Sequence, residues 1–203
     1  AGKLWKIKDI DNKRNKVYVE RAADGKPPKY TGGGVKIHNR IPEKVMEILC
    51  SNKTFPYLTN EAAVRTIEDL RKPYKFHQVK SDERLIWKDG QDMVFETFTG
   101  TNVAKTLTLM LRSKGFDVNV PDVFGRIRLP LNTNIVHELR EIRSKHWSYE
   151  ELLNVTKESE RFISKYSQFL PQSLQDEMHL YHEIDINGVK EFLKKYSFRL
   201  IEN

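Results

Sequence analysis

The residues of this sequence best suited to binding chemistry are a tryptophan and a group of basic side chains near the N-terminus. Trp5 is followed by Lys6 and Lys8 in a stretch that alternates between apolar and basic residues, and Arg14 and Lys16 come soon after it. Basic side chains neutralise phosphates whatever the base sequence, and an exposed indole stacks on an unpaired base. The pattern therefore predicts contact with single-stranded nucleic acid, with Trp5 as the stacking residue and the four cations as phosphate contacts.

A second group of cations, Arg126 and Arg128, alternates with Ile127 and Leu129. On a strand, this alternation places both arginines on one side, so we expect them to be two further phosphate contacts. The net charge of +7 fits a polyanionic partner, and it also fits ordinary solubility. The alternative interpretation is that Trp5 belongs to the core and that the cations keep an edge strand soluble.

No motif in the sequence supports catalysis. The triple glycine at 32–34 lacks the Gly-Lys-Ser/Thr ending of a phosphate-binding loop. His179 and His182 have a spacing at which one helix face can bind a metal, but such pairs are common by chance on polar helices. Cys50, the one cysteine, is expected to be a buried apolar residue and fits a reducing cytoplasm. We therefore expect no catalytic residue, metal or cofactor in this chain, and no apolar run long enough to cross a membrane.

The elements that must position these residues centre on the stretch from Leu85 to Leu129. Asp89-Gly90 suits the tight type I′ turn of a hairpin, and the apolar residues of the helix that follows recur at i, i+4, i+7 and i+8. The expected elements are strands at 85–88 and 93–98, a helix at 103–114, and strands at 116–120 and 124–129. Hairpin, helix and hairpin together predict a small α+β core.

Shorter elements are expected on the N-terminal side of this unit. Alternation predicts a two-stranded ribbon at 4–10 and 17–21. Helices are predicted at about 42–50 and 61–71, with Pro73 ending the second helix and the sheet resuming at 76–79.

A change of pattern after Leu131 divides the chain into two predicted parts. Residues 1–131 are expected to form the α+β core, a small, twisted, barrel-like and mostly antiparallel sheet flanked by the helices at about 42–50, 61–71 and 103–114. Residues 132–203 are expected to form a helical part packed on that core. Its pattern is helical nearly throughout from 132 to 196, and a closing strand is expected at 197–201.

Several stretches resemble the segment that follows the motor and winged-helix domains in large helicase-related (Lhr-like) proteins of helicase superfamily 2. The opening part of the resemblance comprises Gly2–Asp11, Val17–Glu20 and the glycine-proline loop at Gly25–Gly33. Phe98–Val103 resembles the family's glycine-containing turn before a helix, and Arg161–Leu174 resembles its closing helices.

The resemblance implies a β-barrel-like module with flanking helices that holds the strand along which two RecA-like motor domains translocate. In the family pattern, the tryptophan of the opening strand falls on Trp5. Family members hydrolyse ATP with Mg²⁺, but the motor motifs are absent from these 203 residues, so ATP and Mg²⁺ belong to a longer parent chain. The absence of an initiator Met also predicts a piece of a longer protein, and the single cysteine predicts a cytoplasmic one. The implied partners are single-stranded DNA or RNA and the motor and winged-helix domains of that parent chain.

Two other classes of function stay open at this point. The helical part from Asn132 onward can act as a protein-docking module that recruits a partner to a helicase, defence or repair complex. An enzymatic activity of its own, such as base excision or nucleic-acid cleavage by a carboxylate and a histidine, has no supporting spacing in the sequence.

Overall fold

The alternating apolar and polar residues near the N-terminus form an antiparallel ribbon of two strands, β1 (Trp5–Asp11) and β2 (Lys16–Arg21). The Asp11 carboxylate accepts hydrogen bonds from the backbone N–H groups of Lys13 and Arg14, both at 3.1 Å. This side-chain-to-backbone bonding is typical of turns, and it holds Lys13 and Arg14 close to the end of β1.

The structure is a computed structural model that describes residues 5–11, 13–14, 16–21, 36–58, 60–122, 124–131, 133–164 and 166–202. The chain divides into two units, residues 1–32, which contain the ribbon, and residues 33–203. Within the described ranges, no helix is long and apolar enough to cross a membrane.

The second unit contains a four-stranded sheet. Its strands are β3 (Glu83–Asp89), β4 (Asp92–Glu96), β5 (Arg126–Pro130) and β6 (Ser197–Ile201). The order is β5-β4-β3-β6, with antiparallel pairing throughout except that β6 is parallel to β3. The predicted α+β class is confirmed, and β6 is the edge strand expected at 197–201. The barrel-like shape is not formed, because the described strands make two open sheets.

The described part of this unit also forms seven α-helices. Their bounds are α1 (Arg40–Leu49), α2 (Glu61–Phe76), α3 (Thr101–Ser113), α4 (Ile135–Ser144), α5 (Tyr149–Asn154), α6 (Gln172–Glu183) and α7 (Ile186–Lys195). Several helices begin where a side chain accepts a hydrogen bond from a backbone N–H of the first turn, which satisfies a donor that the helix leaves unpaired. These capping residues are Asn60, Asn134, Ser148 and Asp185.

Helices pack on both faces of the sheet, and α3 lies at the centre of the larger core. The apolar face predicted for α3 is buried, and it comprises Val103, Leu107, Met110 and Leu111. This core also contains side chains from the sheet and from helices beyond Leu131, among them Ile86, Phe95, Ile127, Leu139, Val189 and Phe192. A smaller cluster on the other face packs α1 and α2 against the sheet through Met46, Leu49, Tyr74, Leu85 and Ile201. Burial of each such side chain contributes about 1.5–3 kcal/mol.

The second helix runs farther than the sequence predicted. α2 continues through Pro73 to Phe76, so the predicted end near residue 71 and the predicted return to the sheet at 76–79 are wrong. The reason is the residue after the proline, because Tyr74 is buried and its hydroxyl donates a hydrogen bond to the Glu96 carboxylate at 2.9 Å. This tertiary contact outweighs the one backbone hydrogen bond that a proline removes near a helix end.

The predicted second hairpin is also not formed. Residues 116–120 have no regular structure, and β5 pairs with β4 instead. The Nε of Arg112 donates a hydrogen bond to the Val118 carbonyl at 2.6 Å, so a side chain takes the backbone acceptor that a strand partner would need. The helical pattern expected across 132–196 is interrupted as well, since the described residues 155–164 and 166–171 contain only the 3-10 turns Glu158–Glu160 and Ser167–Phe169.

Candidate nucleic-acid interface

The pairing register gives the ribbon one apolar and one polar face. Val17 and Val19 lie opposite Ile10 and Ile7, and residues directly opposite each other share a face. The register shifts between Ile7 and Asp9, so one extra residue is inserted in β1. This β-bulge keeps Ile10 on the face of Ile7, whereas strict alternation would turn it to the other face.

Trp5 lies on the apolar face at the open end of the ribbon. It is 57% exposed, which agrees with the predicted surface position and not with the alternative that it is a core residue. Its partner across the ribbon is Arg21, which sequence reasoning missed because only the strand register brings the two together. An exposed indole beside a guanidinium offers a surface for a base and a cation for the neighbouring phosphate.

The polar face carries two of the other predicted contacts. Lys6 lies opposite Glu20 and Lys16 lies opposite Asp11, on the face away from Trp5. The ribbon therefore brings Trp5 together with Arg21 and separates it from Lys6 and Lys16.

The remaining predicted cations of the ribbon are paired with carboxylates. The Lys8 ammonium lies 2.9 Å from the Glu20 carboxylate, and the Arg14 Nε lies 3.8 Å from the Asp11 carboxylate. Exposed pairs of this kind are worth about 0–1 kcal/mol, so a phosphate can replace the carboxylate but gains less by up to that amount. Among the described ribbon residues six side chains are basic and three are acidic, which leaves this unit a net positive surface.

Arg126 and Arg128 lie on β5 in the unit of residues 33–203, and the structure places both side chains on its exposed side as the alternation predicted. The Arg126 Nε lies 2.6 Å from the Asp122 carboxylate, and an Arg128 Nη lies 2.9 Å from the Asp89 carboxylate. Both arginines therefore have acidic partners, and a phosphate would have to compete with these partners.

Phe124 is an exposed aromatic side chain beside Arg126, and sequence reasoning did not single it out. The Arg126 guanidinium lies 5.5 Å from the centre of the Phe124 ring, within the range of a cation–π contact. Both residues border a largely apolar groove of about 250 Å³, to which Val45 and Leu70 also contribute. The signal in the sequence was Phe124-Gly125-Arg126, an aromatic residue two positions before the first residue of a strand that carries two arginines.

Tyr74 and Glu96, which also border the groove beside Phe124, belong to a hydrogen-bonded group of three side chains. The Tyr74 hydroxyl and the Trp87 Nε1–H both donate hydrogen bonds to the Glu96 carboxylate, at 2.9 and 2.7 Å. Burial, together with the neighbouring Glu96 charge, raises the pKa of Tyr74 well above its ordinary value, so its hydroxyl stays a donor.

The structure also shows where the histidines and the cysteine that were considered for metal binding or nucleophilic chemistry lie. Within the described ranges, no group of three or more His, Cys, Asp or Glu side chains is placed to hold a metal ion. His179 is buried, and the backbone carbonyl of His182 accepts hydrogen bonds from Lys36 and Asn102. Cys50 is half-buried, and burial raises the pKa of its thiol to about 11, so the thiol is protonated at neutral pH.

Comparison with known proteins finds no matching family model, no similar curated protein and no similar solved structure. The resemblance to Lhr-like helicases therefore stays a prediction from the sequence.

Proposed function

We propose that this chain is a nucleic-acid-binding accessory region of an ATP-dependent, Lhr-like helicase and that it grips the translocated single strand. The observation that carries the proposal is the exposed Trp5 opposite Arg21, on a ribbon in which basic side chains outnumber acidic ones. In this proposal, ATP hydrolysis with Mg²⁺ belongs to the motor domains of a longer chain, and the present residues contribute binding alone.

Binding at the ribbon combines stacking with charge. One base that stacks on Trp5 contributes about 1–3 kcal/mol, and Arg21 on the same face reaches a neighbouring phosphate. Lys6 and Lys16 reach the strand only where it passes around the edge of the ribbon to the polar face. The geometry therefore permits an end-on mode, with Trp5 and Arg21 in contact, and a wrapped mode that adds Lys6 and Lys16.

The two modes differ in their dependence on salt. The logarithm of the binding constant falls with the logarithm of salt concentration by about 0.7 for each phosphate neutralised on a single strand. Arg21 alone gives a slope of about −0.7, whereas Arg21, Lys6 and Lys16 together give about −2. Lys8 and Arg14 contribute less, because each gives up a carboxylate partner when it binds a phosphate.

The test is a titration of the chain with a fluorescently labelled oligothymidylate at several salt concentrations. Trp5→Ala is expected to weaken binding by about 5- to 150-fold, the equivalent of one lost stacking contact, without changing the salt slope. Trp5→Phe keeps an aromatic face and should lose less. Tyr181→Ala removes an exposed aromatic from α6 in the other unit and serves as the matched control. Unchanged affinity in Trp5→Ala, or an affinity that does not vary with salt concentration, would contradict the proposal.

A second function, docking onto protein, is favoured by the aliphatic part of the same ribbon face. Ile7, Ile10, Val17 and Val19 are all exposed, although a two-stranded ribbon is marginally stable in water without further packing. The proposed partners are the motor and winged-helix domains of the same parent chain. Retention of this chain on those domains at high salt, without nucleic acid, would favour docking over strand binding.

A further inference from the structure

A cavity of about 200 Å³ lies within the unit of residues 33–203. It is bordered by α3, by α6, by the segment before β5 and by the 3-10 turn after α5. Much of its wall is apolar and comprises Leu109, Val120, Pro121, Phe162 and Ile184. Small-molecule sites combine such walls with a few polar groups that converge on the ligand.

His179 on α6 is a buried polar group in this wall for which the described residues provide no hydrogen-bond partner. The residue is only 4% exposed, and neither Nδ1 nor Nε2 has a hydrogen-bond partner within the described part of the chain. Buried polar side chains in folded proteins nearly always have a partner, so an imidazole in this position requires an explanation. A neutral ring carries one N–H donor and one acceptor, and either can serve a bound molecule.

The charged groups that line the cavity balance one another, and the surplus positive charge comes from Lys36, which is paired with the lining residue Glu183 but does not itself line the cavity. The buried Glu183 carboxylate is bound by two ammonium groups, at 2.5 Å from Lys105 and 2.9 Å from Lys36. Although burial raises it, the hydrogen bonds from these lysines bring the pKa of Glu183 below its ordinary value, so the carboxylate is ionised. Arg112 and Glu160, which also line the cavity, neutralise each other. Coulomb attraction therefore favours a ligand with one negative charge.

We propose that this cavity binds a small monocarboxylate with a planar or branched apolar body. The carboxylate accepts a hydrogen bond from the His179 ring and is attracted by the surplus charge of the two lysines. The apolar body lies against Leu109 and Phe162. This site is separate from the ribbon and does not depend on nucleic-acid binding.

Ligand binding at this site is coupled to protonation of His179. Desolvation lowers the pKa of the ring, and Lys105 on α3 and Arg161 before α6 act in the same direction. Glu183 on α6 and Glu160 oppose them. A bound carboxylate adds a negative charge beside the ring and favours the imidazolium form. We therefore expect proton uptake when a carboxylate binds, and none when a neutral molecule of the same shape binds.

The test compares benzoate with benzamide, which differ in charge far more than in shape. Isothermal titration calorimetry of the complete chain near pH 6.5, in two buffers of different ionisation enthalpy, measures affinity and proton uptake together. Benzoate is expected to bind at least about tenfold more tightly than benzamide and to take up a proton. Absence of benzoate binding, or equal affinity for the two probes, would overturn the proposal.

Variants at His179 assign the binding to this cavity. His179→Leu is expected to lose about tenfold in benzoate affinity, whereas His179→Gln keeps a hydrogen-bond donor and retains binding without proton uptake. His137→Leu, on α4 with its side chain 59% exposed, is the matched control and should bind as the unmodified chain does. Circular dichroism verifies that each variant is folded, and His179→Gln carries the test if His179→Leu does not fold. Proton uptake that persists in His179→Gln, or full affinity in His179→Leu, would exclude His179 as the ligand-binding group.

Discussion

Removal of the Arg112 guanidinium tests how the irregular segments of the second unit are held. Its two terminal nitrogens donate to the two oxygens of the Glu160 carboxylate at 2.6 and 2.9 Å, and its Nε donates to the Val118 carbonyl at 2.6 Å. The side chains of Arg112 and Glu160 are only 7% and 19% exposed. One residue of α3 therefore fixes both segments that border the cavity.

The expected loss in the free energy of unfolding follows from the groups that lose their partner when Arg112 is replaced. Arg112→Met retains much of the apolar volume, but it leaves the Val118 carbonyl without this donor and leaves the Glu160 carboxylate with only the long hydrogen bond from the Lys157 N–H, at 3.4 Å. Loss of one partner of a buried ion pair costs about 3–5 kcal/mol, and the partial exposure of Glu160 sets the expectation near about 3 kcal/mol. For a unit of this size, that corresponds to a Tm lower by about 6–12 °C. Glu160→Gln keeps an acceptor for the guanidinium and is expected to lose only about 1–2 kcal/mol.

Urea unfolding followed by tryptophan fluorescence measures these differences in the free energy of unfolding. Trp147 reports on this unit, because it is buried in the larger core and its Nε1–H donates to the Ile142 carbonyl at 2.9 Å. Lys194→Met is the matched control, since it removes an exposed pair with Glu191 and should change stability by less than about 0.5 kcal/mol. A loss below about 1 kcal/mol in Arg112→Met, with an unchanged denaturant slope, would refute the reasoning.

Two further substitutions test close packing and pH dependence. Gly100→Ala is expected to destabilise the chain by about 1–3 kcal/mol, because the added Cβ would lie 2.7 Å from the Ile37 carbonyl oxygen and would also meet the Asn39 side chain. Thermal melts should show that a second substitution, Asn39→Gly, does not restore the stability of Gly100→Ala, since the contact with the Ile37 carbonyl oxygen remains. The free energy of unfolding is expected to fall as pH drops below about 6.5, because burial lowers the folded-state pKa of His179 and the unfolded chain then binds more protons. Urea unfolding should show a flatter pH dependence in His179→Leu between about pH 6.5 and 5, above the range where carboxylates titrate, and an unchanged dependence would contradict this assignment.

Features that depend on local spacing could be predicted from the sequence. The apolar residues of α3 recur along one helix face, and the same residues are buried in the structure. The ribbon and the hairpin of β3 and β4 also follow from alternation and turn residues, because strand period and turn chemistry are properties of neighbouring residues. The exposed sides of Arg126 and Arg128 follow in the same way.

Features that depend on distant contacts could not be predicted in this way. Pro73 is a local signal for a helix end, and it is overridden by a hydrogen bond from Tyr74 to Glu96 on another element. Residues 116–120 have a strand-like pattern, but the Arg112 side chain takes the carbonyl of Val118. The pairing of Trp5 with Arg21 also could not be predicted, since it depends on the register of two strands and not on the composition of either.

The bulge in β1 explains how one ribbon face can serve both proposed binding roles. By keeping Ile10 on the face of Trp5 and Ile7, it extends an exposed apolar surface along nearly the whole strand. Trp5 and Ile10 lie opposite Arg21 and Val17, which are four residues apart on β2, and at strand geometry this is about 13 Å. A base that stacks on Trp5 at the open end therefore leaves Ile10 and Val17, next to the turn, free to pack on protein. Because Trp5 and the pair of Ile10 and Val17 lie at different ends of one face, substitutions at the two ends separate strand binding from docking.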